Sequence, residues 1–204
     1  MKKITTNTVT EAKRYVETLL DDKLSKDCVY HSKIHTFNVL KNVETIGNYY
    51  NLGEDEMNIL RISAIFHDVG YIKAHDGHEL ESVKIAGSFL LSKNIDPVII
   101  THVRESILAT KVPQNPKDLL GQILCDADMM HLTYEDYFDQ IELLRQEWSN
   151  TGKAHLDEVG FHKVALDFII NHNYLTEYGK KVLEPLKENT AILTKKKLRN
   201  ANTL

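Results

Sequence analysis

Cysteine, proline and glycine are all scarce in this chain: two, four and nine among 204 residues. Cys28 and Cys125 lie far apart and form no CxxC pair, which argues against a disulfide framework and fits a reducing compartment. No proline- or glycine-rich linker and no low-complexity stretch interrupts the sequence, so a single domain over 1–204 is expected. Long apolar runs are missing too. Nowhere do about 18 apolar residues follow one another, and MKKITTNTVTEAK places no apolar stretch behind its two lysines. The expectation is a cytoplasmic protein with no membrane partner. A formal charge of −4 provides no basic field for long nucleic acid. The glycine signatures of P-loops, Rossmann folds and nucleophile elbows do not occur, which leaves ATP-driven and serine-hydrolase mechanisms without support.

What the sequence does contain is apolar periodicity near 3.6 along almost its whole length, with no convincing alternation of period 2; an all-α fold of about eight to nine helices follows. Thr8 and Glu11 are spaced as a capping box for a first helix that presents Ala12, Val16, Leu19 and Leu20. A second helix is expected from about His31 to Leu52, its stripe running His31, His35, Val39, Val43, Ile46 and Tyr50, with Gly53 as the stop. A third begins near Glu54 and carries Leu60, Ala64, His67 and Asp68 on one face, Gly70 ending it. The spacing predicts further helices over His78–Lys93, from Asp96-Pro97 to Thr110 or Lys111, and from Asn115-Pro116 to Asp128. Thr133 and Asp136 are spaced to cap a run to Trp148, and periodicity returns over Leu156–Ile170 and Tyr174–Leu193 before a basic tail, KKKLRNANTL, expected to fray. Tyr49-Tyr50, Phe89, Trp148 and Phe168 stand at helical spacings suited to core or interface.

The chemistry concentrates at His67-Asp68, inside RISAIFHDVGY. An Asp taken out of water without a partner costs several kcal/mol, so a cation or a cage of donors should lie beside it. His31 and His35 stand four apart on an inward helical face, and Asp128 shares a face with Leu124, whereas Asp126 shares one with Leu119 and Ile123. Asp128 is therefore preferred as the further carboxylate, with Asp126 open as the alternative. Imidazoles and carboxylates from separate helices suit a divalent ion such as Mn, Zn, Fe or Mg that keeps positions for water. The remaining histidines, His155, His162 and His172, read as structural.

The order His35, His67-Asp68, Asp128 resembles the HD superfamily of metal-dependent phosphohydrolases over about residues 28–132, and YHSKIHTFNV resembles a block shared by class I cyclic-nucleotide phosphodiesterases and small bacterial HD proteins. The resemblance implies a helical bundle of the HD type with residues 133–195 packed on it. It implies His35, His67, Asp68 and Asp128 as ligands of one tightly held divalent ion, Mn, Zn, Fe, Co or Mg, with a second ion open. It also implies a metal-activated water as nucleophile, Asp68 orienting it, and His31 as proton donor. The substrate would be a phosphomonoester or phosphodiester of a small, nucleotide-like molecule. Lys73, His75, Arg104 and Lys111 are candidate phosphate contacts; His78, His102, Asp126 and His131 are candidates for substrate or for support of the ligands. Other HD branches bind a second metal through two further histidines. His78 fits the first, but the second aligns with Thr110 while His102 falls two turns earlier, which weighs against the di-iron oxygenase alternative. A non-catalytic metal-stabilised module is the third reading, and homodimers through helical faces are an open expectation.

Overall fold

The computed structural model describes residues 1–201; Asn202, Thr203 and Leu204, the end of the expected basic tail, lie outside the described residues. No strand forms among the described residues, only an isolated bridge between Lys2 and Ile95, so the all-α expectation holds. Likewise, no described helix is long and apolar enough to cross a membrane. The described residues fall into two compact units: Met1–Ser25 with His31–Asp128, and Lys26–Tyr30 with the described residues from Met129 onward.

The first unit holds six helices: α1 (Thr6–Lys23), α2 (Lys33–Tyr49), α3 (Glu54–Phe66), α4 (His78–Ser92), α5 (Pro97–Ala109) and α6 (Leu119–Asp128). Of these, α3 is the axis, packing against α1, α2 and α5 and also touching α4 and α6. Its sequence explains the position, because every residue from Met57 to Phe66 except Arg61 is buried. Ile62, Ile65 and Phe66 are closed off from solvent, and each such side chain contributes about 1.5–3 kcal/mol to the folded state. Arg61 reaches out to Glu44 at 2.8 Å, and Ser63 satisfies its hydroxyl on the Ile59 carbonyl within the helix.

Helix boundaries depart from the sequence reading in instructive places. The α1 capping box is Thr5 with Thr8, not Thr8 with Glu11: Thr8 N donates to Thr5 Oγ1 at 3.2 Å and Thr5 N to Thr8 Oγ1 at 3.3 Å. Helix α2 ends at Tyr49, and Asn51 just past it, at φ 53°, makes the left-handed turn that stops the helix, with Leu52 N donating to Gly47 O and Asn51 N to Asn48 O. Gly53 instead precedes α3 as its cap, its N donating to Glu56 Oε2 at 3.2 Å. Asp96 caps α5 as expected, accepting from Val98 N at 2.9 Å. Helix α6 starts three residues beyond Asn115-Pro116, where Asp118 accepts from Gly121 N at 2.8 Å.

In the second unit, a short 3-10 turn (Met129–Thr133) leads to α7 (Tyr137–Asn150), α8 (Glu158–Asn171), a π turn (Gly179–Leu183) and α9 (Glu184–Ala201). Leu132, Tyr137, Ile141, Phe161, Ala165 and Ile169 form its core. Thr133 donates to Met130 O inside the 3-10 turn and so does not cap α7, while the expected tail is helical as far as Ala201.

Candidate metal centre

Four side chains from three helix ends of the first unit converge. His35 lies near the start of α2, His67 ends α3, Asp68 follows it, and Asp128 is the last residue of α6. His35 Nε2 stands 3.1 Å from Asp128 Oδ1 and 3.3 Å from both Asp68 Oδ2 and His67 Nε2. His67 Nε2 is 3.1 Å from Asp68 Oδ2 and 3.7 Å from Asp128 Oδ1. The ligand atoms of His35, His67 and Asp128 all lie within 4.8 Å of one another. Asp128 thus takes the place in the cluster that the sequence left open to Asp126. Asp126 is buried, and two residues earlier on α6 puts it about 200° round the helix.

The local fold aims these groups. Helix α3 ends where His67 and Asp68 stand, and Asp68 leaves the helical region at φ −110°, ψ 2° before a 3-10 turn, Val69–Ile72. His67 Nδ1 is 2.8 Å from the Ala64 carbonyl, a bond in which Nδ1–H donates and the Nε2 lone pair is left for the cluster. Gly70 is not the helix stop expected of it. A β-carbon there would lie 1.9 Å from the His78 carbonyl oxygen, so the missing side chain is what lets the turn press against the first residue of α4. Gly70 N donates to Ser82 Oγ at 2.8 Å and fastens the same contact.

Electrostatics follow from the crowding. Burial works against charge on the imidazoles, yet the carboxylates of Asp128 and Asp68 outweigh it, pushing His35 up to about 9 and His67 well above its ordinary value. Burial likewise works against ionised carboxylates, but the imidazoles hold Asp68 and Asp128 well below the usual range. Two imidazole nitrogens aimed at one point beside two carboxylates are a mixed nitrogen and oxygen donor set, which suits Zn, Mn, Fe or Co and fits a divalent ion on chemistry alone.

A second ring of residues surrounds this set. His78, the first residue of α4, holds Nε2 3.2 Å from Asp68 Oδ1 and Nδ1 3.0 Å from the His75 carbonyl, and Asp68 raises its affinity for a proton against the opposing effect of burial. His31 lies two residues before α2 rather than on it, because Ser32 is extended (φ −121°, ψ 179°) and the helix opens at Lys33. Its Nε2 is 3.2 Å from Tyr71 Oη, and its ring lies edge-on to His35 with centroids 5.8 Å apart. Tyr71, given no role by the sequence reading, is the residue that reading missed; its signal was an aromatic three positions beyond Asp68, inside a turn rather than a helix.

The other candidates are not gathered in. Lys73 and His75 are exposed beyond the 3-10 turn, although the His75 ring meets Tyr71 edge-on at 5.7 Å. His102 faces Asp118 at 3.8 Å, and Arg104 lines a groove between α4 and α5 with Val83, Ala86, Gly87, Leu90, Ile100 and Val103. Lys111 is exposed, and Thr110, buried, donates to Ile107 O at 2.8 Å. The second pair of histidines that a di-iron centre would use is therefore not assembled. His131 belongs to the second unit, where its ring meets Tyr30 edge-on at 5.8 Å.

Residues 33–133 match the HD domain family. Solved structures share the fold, two of them over nearly the whole chain. One, described as a predicted HD superfamily hydrolase from an uncultured Thermotogales bacterium, is 16% identical with a TM-score of 0.62, over 95% of this chain and 91% of that one. The other, from Lactobacillus plantarum, is 14% identical with a TM-score of 0.70, over 98% of this chain and 97% of that one. No curated protein matches the chain.

Proposed function

With an HD domain over residues 33–133 the chain belongs to the HD superfamily, and from that premise we propose a metal-dependent phosphohydrolase acting on a phosphomonoester or phosphodiester of a small, nucleotide-like molecule. The observation that carries the reading is the convergence of His35, His67, Asp68 and Asp128 with His31 beside them. These four residues would hold the ion. When bound, a divalent ion supplies an acidified water, with a pKa lowered toward about 7, and neutralises charge at a phosphoryl oxygen.

The protein's own groups supply the rest. His67 is locked by Ala64 O in the tautomer that presents Nε2 inward, so its donor atom is set in place before any ligand arrives. Asp68 divides its two oxygens: Oδ2 faces the imidazoles, while Oδ1 faces His78 Nε2 and is the oxygen positioned to orient a water. His31 is the proton donor. In the hydrolysis, the water oxygen bonds to phosphorus, the ester oxygen leaves with the electron pair of the broken P–O bond, and that oxygen takes a proton from His31. The proton shed by the water returns through solvent to recharge the imidazole. Such a donor contributes about 10²- to 10⁴-fold.

The test is direct. Purified protein supplied with Mn, Co or Zn should hydrolyse bis(p-nitrophenyl) phosphate, and His67→Ala and Asp68→Ala should each abolish turnover. Activity that survives both substitutions would sink the assignment.

A further inference from the structure

Three rings from three separate segments meet beside the centre: His31 before α2, Tyr71 in the 3-10 turn and His78 at the start of α4. The Tyr71 ring lies against both histidines, its centroid 4.1 Å from each, at 15° to His31 and 26° to His78. The two histidine rings are 6.3 Å apart. Tyr71 Oη also reaches His31 Nε2 at 3.2 Å. One side chain therefore touches both histidines that flank the cluster, by ring face and, for His31, by a hydrogen bond as well.

The need for such a contact is local. His31 stands outside α2, so the helix backbone does not fix its ring in the way that it fixes His35. An imidazolium that delivers a proton carries N–H on both ring nitrogens, so what must be held is its rotamer, and a phenol oxygen bonded at one ring nitrogen holds it. Offset aromatic contacts of this kind favour the stacked rotamer over its alternatives by roughly several-fold. The turn carrying Tyr71 is itself fastened, since Gly70 N donates to Ser82 Oγ and Tyr71 N to Asp68 O at 3.0 Å. The phenol is thus held in register with the residue that supplies one of the clustered carboxylates.

We propose that Tyr71 is a positioning residue for His31, holding the imidazole by its Nε2 hydrogen bond and by ring contact so that the proton reaches the leaving oxygen. This inference rests on the reading of His31 as proton donor. It assigns Tyr71 no contact with substrate. The chemical consequence is specific: a donor matters most where the departing oxygen is a strong base, and hardly at all where it is p-nitrophenolate.

The experiment uses the metal-loaded full chain with phosphate esters graded in leaving-group basicity, from p-nitrophenyl through phenyl to alkyl. Rates for His31→Ala and Tyr71→Phe are compared with the unaltered protein across the series. His31→Ala should steepen the dependence on leaving group; Tyr71→Phe, which keeps the ring and loses only the hydroxyl, should steepen it in the same sense, with about a 10-fold loss at the alkyl end, little at the p-nitrophenyl end, and KM unchanged. The second readout is the ¹⁵N chemical shift of His31, recorded with Zn as the diamagnetic ion, which Tyr71→Phe should move. An equal loss on every ester, or His31 shifts that stay put, overturns the role of Tyr71. A His31→Ala series with no steepening overturns the donor reading instead, so the two failures are told apart.

Discussion

Buried ionisable groups occur in both units, but they are neutralised in opposite ways. In the second unit, Glu147 accepts from Tyr30 N at 2.9 Å, and Lys187 donates to the His172 carbonyl and pairs with Glu184 at 2.5 Å. Each charge there is tied to the backbone or to an opposite charge on its own helix. In the first unit, His35, His67, Asp68 and Asp128 face one another, and the Ala64 carbonyl holds the outer nitrogen of His67. Groups satisfied by backbone are architecture. Groups that present lone pairs to a shared point, brought together from separate helix ends, are prepared for a ligand.

The contrast is broken most severely by removing one member from each unit. Asp128→Ala should lose the tightly held metal and at least about 10³-fold in turnover, because a missing carboxylate removes both charge and coordination. Glu147→Ala should keep the metal at full stoichiometry while costing about 1–3 kcal/mol in urea unfolding, since it leaves Tyr30 N–H without that acceptor inside the unit. Metal analysis beside denaturation curves separates the two. Metal loss in Glu147→Ala would erase the distinction between the units.

Gly70→Ala should rank next. The added carbon meets backbone, not the end of a flexible side chain, so α4 must give way at His78. We expect a stability loss of about 3 kcal/mol, the upper part of the ordinary range for overpacking, accompanied by weakened metal binding. An alanine tolerated with unchanged melting would show that the turn and α4 are not pressed together as described.

Much of this was legible in the residues, and the exceptions have physical causes. The helices that bury a clear stripe, such as α1, α4 and α5, were readable to within a few residues, because a 3.6-residue repeat and a capping Asp96 are local signals. Their ends were less so. Asn51 ends α2 in the left-handed region while Gly53, the residue that invites that role, caps the next helix; sequence cannot tell a glycine used for turning from one used for starting. The clustered residues were legible because histidines and aspartates at inward positions are costly to bury without a partner. Tyr71 was not, because its importance lies in contacts across 40 residues, to His31, that no periodicity records. His102 was misleading for the same reason in reverse: a histidine near the right place in the chain faces Asp118 instead.

A gentler effect comes from pH. In the metal-free protein His35 is pushed from an ordinary 6.5 up to about 9, so its contribution to stability is complete below about 6.5 and fades as pH rises through 9. Asp68 and Asp128, held low, contribute above the ordinary carboxyl value of 3.8 and lose that contribution as pH falls through their lowered values. Melting temperature of the metal-free protein should therefore fall between pH 7 and 9, and added Mn should remove most of that fall, since the ion takes over from protons that are leaving anyway. Apparent metal affinity should rise over the same interval. A metal-free melting temperature that climbs from pH 7 to 9 would contradict the arrangement of charges.

The smallest effect is the most discriminating about where the centre stops. His102 has 45% of its side chain exposed, and its carboxylate neighbour is Asp118 at 3.8 Å, a pair worth about 0–1 kcal/mol at such exposure. His102→Gln should leave one metal per chain, change turnover by less than about 2-fold and move stability by about 0.5 kcal/mol at most. His78→Gln is its partner in the comparison, because His78 Nε2 sits 3.2 Å from Asp68 Oδ1 and the substitution should slow turnover by about 10- to 100-fold. Equal losses from the two histidines would mean that α5 joins the centre through a rearrangement on ligand binding. Unequal losses, with His102 silent, fix the boundary at α4 and make Thr110, buried and bonded to Ile107 O, a residue of the helix end and not of the chemistry.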